Sequence, residues 1–276
     1  MLKGIFKPNS VIPGFKLAMF WTIFYLSLIV LLPLSGLFFN ALDISTSVFW
    51  KTISEPRVLA SLELTFVASA VAGLINVVFG FMVAWIIVKQ RIYARKLIDA
   101  LIDLPFALPT AVAGITLSGL FSSEGLYGKI LSKLGLNLSH TPVGIIVALV
   151  FVGIPFVVRS IQPVLEDFDL QMEEAAACLG ASRSQIFFRI TLPTLFPSIL
   201  TGFTMAFARG IGEYGSVIFI AGNIPMKSEI VSLLIMSKLE QYDYEGATSI
   251  AVVTLILSFG ILLIINLTQR VNKKYM

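Results

Sequence analysis

With one cysteine, Cys178, and one histidine, His140, in 276 residues, the sequence cannot form an internal disulfide and offers little for a metal centre. Cys178 reads as a small apolar filler and His140 as a loop residue. Charge is scarce as well. Asp, Glu, Lys and Arg make up 13% of the chain, against about 25% in an ordinary soluble domain. Hydrophobic residues make up 57%, and the mean hydropathy is +0.92. Lipid is therefore the expected solvent, and no nucleic-acid partner is expected. A nucleotide-binding loop is missing too, because Gly125-Leu126-Tyr127-Gly128-Lys129 has neither the spacing nor the trailing Ser or Thr of a phosphate-cradling loop. There is no paired nucleophile and base, so the chain is not expected to be an enzyme or to carry a cofactor of its own.

What the sequence has instead is long apolar runs. About 20 apolar residues suffice to cross a bilayer, and Leu17–Leu42, Leu64–Val88, Leu104–Ser123, Thr141–Val158, Ile190–Ala208 and Gly246–Gln269 all lack Asp, Glu, Lys and Arg. The fifth continues past two charges toward Met226. All six are expected as helices, since an open strand edge has no partners in hydrocarbon. The first is longer than a signal-peptide core and ends in no clean cleavage site, so it is read as a retained helix. The expectation is an all-α, polytopic membrane protein with six transmembrane helices.

Basic residues gather on the cytoplasmic side of membrane proteins. Six crossings place Lys3, Lys7, Lys16, Lys89, Arg91, Arg95, Lys96, Arg159, Arg183, Arg189, Arg270, Lys273 and Lys274 on the side of the termini. Lys51, Arg57, Lys129, Lys133, Lys227 and Lys238 fall on the other side. Both termini are therefore expected in the cytoplasm. The loops Ser122–His140 and Gly222–Glu245 face outward, the latter carrying Glu229, Glu240, Asp243 and Glu245 as a solvated rim or a docking surface.

That orientation puts the stretch Glu173–Pro193, "EEAAACLGASRSQIFFRITLP", in the cytoplasm between the fourth and fifth spans. Asp169, Glu173 and Glu174 suit the start of a helix, where carboxylates meet the positive dipole end. Gly180 stands where a left-handed cap is needed to stop it. Ser182 with Gln185 three residues on forms the capping-box pattern of a second helix, which Pro193 is expected to end or kink at the membrane. Met172, Ala175, Ala176 and Leu179 share one face of the first helix at spacings of three and four. Acid and alanine fit a protein partner better than an anionic lipid surface.

Ionisable groups at bilayer depth cost about 2.5–3.5 kcal/mol or more, so the few present count as candidates. Arg209 and Glu213 lie four apart on one helix face and either pair with each other or line a pathway, where Arg209 would offer donors to an oxyanion. Gly210, Gly212 and Gly215 suggest close backbone contact or a local break there. Asp103, Pro105 and Pro109 mark the third span. The two prolines are expected to kink it, forming either a gate or a bent packing helix.

Glu174-Ala175-Ala176, three residues, Gly180, nine residues, then Ile190-Thr191-Leu192-Pro193 resembles, at every fixed position, the cytoplasmic loop of ABC-importer permeases. The resemblance implies a type I importer transmembrane domain with this loop as a coupling-helix pair, inserted in a cleft of a separate cytoplasmic ATPase. Glu174, Ala175, Ala176 and Gly180 would shape that contact, and Ile190, Leu192 and Pro193 complete the motif. "LPFALPTAVAGITLSGLFSSEGLYG", "VFVGIPFVVRSIQPVLE" and "KLEQYDYEGATSIAVV" are similar to sulfate/thiosulfate permease subunits. "GEYGSVIFIAGN" is similar in molybdate permeases as well.

The implied organisation is an N-terminal tail, first helix and external loop over 1–57, a permease domain over 58–268 and a cytoplasmic tail over 269–276. The implied partners are an ATPase dimer that binds ATP and Mg, a sibling permease, an external sulfate-binding protein and membrane lipid. The implied membrane is a bacterial plasma (inner) membrane or a plastid inner envelope. A transporter driven by an ion gradient would need midplane carboxylates and an inverted repeat. Asp103 and Glu213 are its only candidates, and no repeat is visible.

Overall fold

The computed structural model describes residues 14–90 and 94–272, all helices and connecting turns among the described residues. Lys3, Lys7, Arg91, Lys273 and Lys274, together with the outer parts of both tails, lie outside them. The helices are α1 (Phe15–Leu26), α2 (Leu32–Leu42), α3 (Thr46–Ile53), α4 (Pro56–Lys89), α5 (Arg95–Ala107), α6 (Thr110–Phe121) and α7 (Gly128–Lys133). They continue with α8 (Pro142–Glu166), α9 (Leu170–Cys178), α10 (Arg183–Ile186), α11 (Leu192–Ile211), α12 (Gly215–Ala221), α13 (Val231–Glu240) and α14 (Tyr244–Asn272). A π-turn over Ser27–Leu31 joins α1 to α2, and another over Phe187–Thr191 joins α10 to α11.

Five stretches are long and apolar enough to cross a membrane: Phe15–Leu42, Pro56–Lys89, Pro142–Glu166, Arg183–Ile211 and Tyr244–Gln269. The third expected span is not one helix. α5 and α6 meet at 107° and make a sixth crossing only if the bent pair is counted as one. The break falls at Leu108, which is extended (φ −86°, ψ 135°) because the ring of Pro109 disfavours helical geometry in the residue before it. Pro105, by contrast, sits inside α5 without ending it. The fifth span also stops short, since α11 ends at Ile211 and a turn over 212–214 separates it from α12.

Pro193 departs from expectation in the other direction. It neither ends nor breaks the helix, and the run from Arg183 to Ile211 is continuous. The preceding π-turn explains this: Leu192 N–H donates to Phe187 O, five residues back, so the register has already shifted when the residue lacking a donor arrives in the first turn of α11.

The core is the packing of α4, α8 and α11 on one another. Lipid supplies no hydrophobic drive for helix association, so close approach through small residues must hold these helices together. A Cβ on Gly73 would lie 2.9 Å from the Phe203 ring, one on Gly80 2.9 Å from Val157 Cγ1, and one on Gly202 2.9 Å from Val157 Cα. Ala84, Ile87, Val157, Val158, Ile161 and Leu195 close this core toward the end that carries the Gly180 corner. Ala68, Ala72, Ile145, Leu149, Ile220 and Leu233 close it toward the other. The first span is different in kind: α1 and α2 bury no residue, and α2 and α3 lean on α14.

Candidate functional site

The loop over Glu173–Pro193 is a corner fixed by backbone chemistry. Asp169 caps α9, its carboxylate accepting from Gln171 N–H at 2.9 Å. At the other end Gly180 takes φ +84°, Gly180 N–H donates to Ala177 O and Ala181 N–H donates to Ala176 O, both at 3.0 Å. These are the paired bonds of a left-handed helix stop. Two residues later the chain restarts: Ser182 N–H donates to Gln185 Oε1 at 2.8 Å, and Gln185 N–H donates to Ser182 Oγ at 3.4 Å. Gly180 and the box of Ser182 with Gln185 therefore do what their sequence pattern called for.

The corner is presented outward. Leu179 is 89% exposed, Met172 47%, and Glu174 and Ala175 are exposed with them, while Ala176 is half-buried. Cys178 is exposed on α9 and fills no core. It lies on the helix's outer surface because α9 is a single short helix with no layer above it. A hollow of ≈ 330 Å³ lies beside the corner, lined by Leu179, Gly180, Gln185, Ile186, Arg189 and Ile190. Ile190, Leu192 and Pro193 are half-buried where the second helix enters the bundle.

Glu173, one place before the matched motif, is the residue that ties the corner down. Its carboxylate accepts from Thr191 Oγ1 at 2.9 Å and from Lys89 Nζ at 3.3 Å. Lys89 ends α4, with its ammonium 5.6 Å from the Trp85 ring centre and 5.2 Å from that of Phe168. Glu174 instead faces a ≈ 420 Å³ hollow with Trp85, Arg183 and Phe187. Sequence reading missed Lys89 and Thr191 in this role. Their distances along the chain from Glu173, 84 and 18 residues, leave no local signal.

Asp103 is not near the Arg209 pair in any recorded contact, and Arg159 claims it. Arg159 Nη2 donates to Asp103 Oδ2 at 2.6 Å and Nε to Oδ1 at 3.0 Å, while Nη1 reaches Asp99 Oδ1 at 3.1 Å and Gln162 Oε1 at 2.7 Å. Glu166 joins through Gln162 and Arg95. Arg159 lies within α8, which runs eight residues past the apolar stretch that ended at Val158. This side-chain network clamps α5 to α8.

Arg209 and Glu213 do pair, at 2.5 Å. Glu213 is 1% exposed and its other oxygen accepts from Ser216 N–H and Ser216 Oγ, both at 2.8 Å. Ser232 Oγ donates to Glu213 O at 2.6 Å. The carboxylate thus bridges the end of α11 to the start of α12. Arg209 is one-third exposed, with guanidinium donors left over. The structure also brings the two broken spans together. A Cβ on Gly215 would lie 2.2 Å from Thr110 Oγ1, and one on Gly114 2.4 Å from Ser216 O, so the restart after Pro109 packs on the restart after Glu213.

The four acids of the Gly222–Glu245 loop divide. Glu240 and Glu245 are exposed. Glu229 is 1% exposed and held by Arg57 through two bonds of 2.7 Å, so it is no part of a solvated rim. Asp243 accepts from Lys238 Nζ and Gly246 N–H, both at 2.9 Å, and first the ammonium and then the amide hold its carboxyl below the usual carboxylate range. His140, with φ +60°, lies in a loop against Gly222.

The sequence model of the family described as "Binding-protein-dependent transport system inner membrane component" matches residues 76–276. The "Sulfate transport system permease protein CysT" of Escherichia coli (strain K12) is 46% identical over 261 residues, which span 95% of this chain and 94% of that protein. Among solved structures, the "bacterial ABC transporter involved in the import of the acidic polysaccharide alginate" superposes with a TM-score of 0.74 at 18% identity, over 93% of this chain and 96% of that one. The same transporter "in complex with alginate pentasaccharide-bound periplasmic protein" gives 0.71 at 20% identity, over 94% and 95%. Both structural likenesses concern the fold.

Proposed function

The chain belongs to the family of binding-protein-dependent transport system inner membrane components, and from that premise we propose that it is the membrane permease subunit of an ATP-driven importer of sulfate or thiosulfate. The similarity to CysT over nearly the whole of both chains supports the substrate class. The observation that carries the mechanism is the outward corner at Gly180–Ser182, locked by its own backbone and tied through Glu173 to Lys89 of α4 and to Thr191.

In this reading a cytoplasmic ATPase dimer, which holds ATP and Mg, receives the corner in a cleft. Glu174, Ala175, Ala176 and Gly180 form the contact, and Ile190, Leu192 and Pro193 pass its displacement into the bundle. A sibling permease covers the apolar faces left exposed on the bundle, with lipid around the rest. A sulfate-binding protein docks on the outer side, as the alginate importer engages a periplasmic protein. Both termini lie in the cytoplasm of a bacterial inner membrane. Arg209 offers spare donors to the passing oxyanion, while Glu213 holds it in place. Asp103, Pro105 and Pro109 shape the bend that packs beside that pair. Few cations in the spans suit a dianion that has to leave again.

The test is ATP-dependent uptake of labelled sulfate by the complete complex in proteoliposomes, with molybdate as competitor. Uptake that needs ATP and resists molybdate is expected. Sulfate uptake that persists without ATP, or that molybdate displaces at equal concentration, overturns the assignment.

A further inference from the structure

The buried face of α4 carries polar groups where the helices opposite are bare. Ser69 and Asn76 lie two turns apart on that face, about 10 Å along the axis, and are 1% and 0% exposed. The Ser69 hydroxyl and both polar atoms of the Asn76 amide have no hydrogen-bond partner. A glycine stands opposite each. A Cβ on Gly210 of α11 would lie 2.9 Å from Ser69 Oγ, and a Cβ on Gly153 of α8 would lie 2.4 Å from Asn76 Nδ2.

Ser61 and Thr65, further up the same face, behave differently. Each donates to a backbone carbonyl about one turn back, and Thr65 also accepts from Val231 N–H. That is the ordinary way a helical hydroxyl satisfies itself. Ser69 does not use it, and neither end of the Asn76 amide is satisfied. Groups left this way in a dry interior are few, and they call for a partner elsewhere. An apolar residue of the same size would fill the junction of α4, α8 and α11 without the penalty of the bare amide.

A tetrahedral dianion such as sulfate accepts hydrogen bonds and donates none. Neutral donors hold it weakly enough to release it. Ser69 packs against Gly210, the residue that follows Arg209 on α11. We propose that Ser69 and Asn76 are anion-contacting donors of the translocation route, closed between helices in this conformation and bared when α4 parts from α8 and α11. The glycines opposite let the two polar side chains pack against bare backbone, so the seam closes tightly and leaves its donors unused. The proposal rests on the oxyanion reading above.

In the complete complex in proteoliposomes, Asn76→Leu is expected to lower the maximal rate of ATP-driven sulfate uptake by about tenfold or more, and Ser69→Ala by about threefold. The thermal midpoint of the Asn76→Leu subunit should be unchanged or higher, because the unsatisfied amide is gone. Asn76→Ser, which keeps a donor, should recover part of the rate. A second measurement does not depend on transport. With Cys178→Ser as the reference background, the Asn76→Cys thiol should resist an anionic methanethiosulfonate at rest, react during ATP turnover and be slowed by added sulfate.

A normal uptake rate for Asn76→Leu overturns the proposal, as does a thiol at position 76 that stays unreactive in every state. If the wild-type complex imports no sulfate while that thiol reacts during turnover, the sulfate assignment falls and the opening seam is retained.

Discussion

The corner at Gly180 and the buried face of α4 are built on opposite principles. At the corner the helix stop and the restart are closed by bonds to neighbours at most five residues away, and Leu179 and Met172 face outward. On α4 the apolar groups are packed away and two polar side chains are left with nothing. A rigid corner with exposed apolar residues is complete in itself and awaits a partner. A tight seam with unsatisfied donors is complete only in a second arrangement of the same helices. In the proposed mechanism the difference separates the part that receives force from the part that rearranges under it.

The sharpest way to break the comparison is at Gly180. Nothing lies within 4 Å of a Cβ there, so Gly180→Val clashes with no neighbour and acts through φ +84° alone. A branched residue in that region is disfavoured by about 1–2 kcal/mol or more. Uptake should fall to background with normal membrane insertion. Normal uptake in that variant would remove the corner from the coupling path.

Arg209→Gln comes next. It strands the buried Glu213 carboxylate, and breaking a buried pair in this way costs about 3–5 kcal/mol. The detergent-solubilised subunit should melt well below wild type, and Glu213→Gln should melt closer to it because Ser216 can still donate to the amide oxygen. Wild-type melting of Arg209→Gln would mean that Arg209 is not needed to hold the fold.

A smaller effect is expected where the corner meets the bundle. Thr191→Val removes one bond to Glu173, worth about 1.5–3 kcal/mol for a charged acceptor. It should reduce uptake severalfold while ATPase activity persists, so that more ATP is turned over per sulfate moved. Coupled loss of both activities would place Thr191 in assembly.

The smallest effect concerns Asp243. Its folded carboxyl titrates below the ordinary value, so the stabilisation it provides is present above about pH 4 and fades as the pH falls through the lower folded value. The pair with Lys238 is partly exposed and contributes less than about 1 kcal/mol. Asp243→Asn should flatten the acid limb of the melting curve between about pH 5 and pH 3, and an unaltered limb would remove Asp243 from it.

Legibility in the sequence follows the distance between partners. The membrane class, the spans other than the third and the far end of the fifth, the stop at Gly180 and the restart at Ser182 depend on composition or on residues within a turn, and they stand where the pattern put them. Arg209 with Glu213 is also local, four residues along one face. Pro193 does not end its helix because a π-turn upstream has already shifted the register, and the break at Leu108 exceeds the kink expected from two prolines. Lys89 with Glu173, Arg159 with Asp103 and Arg57 with Glu229 depend on helices coming together across 84, 56 and 172 residues. Nothing local marks any of these three pairs, and Glu229 looked like a surface acid for that reason.

The unbroken helix from Arg183 to Ile211 has 29 residues, a rod of about 44 Å. One end leaves the capped corner, and Arg209 sits two residues from the other. The same run carries a π-turn over Phe187–Thr191 and a second proline, Pro197, inside α11, two kinds of place where a helix bends. In the proposed mechanism a shift of the corner therefore reaches Arg209 along one covalent path with two soft points, and how much of the stroke arrives at the pair depends on how far those points yield.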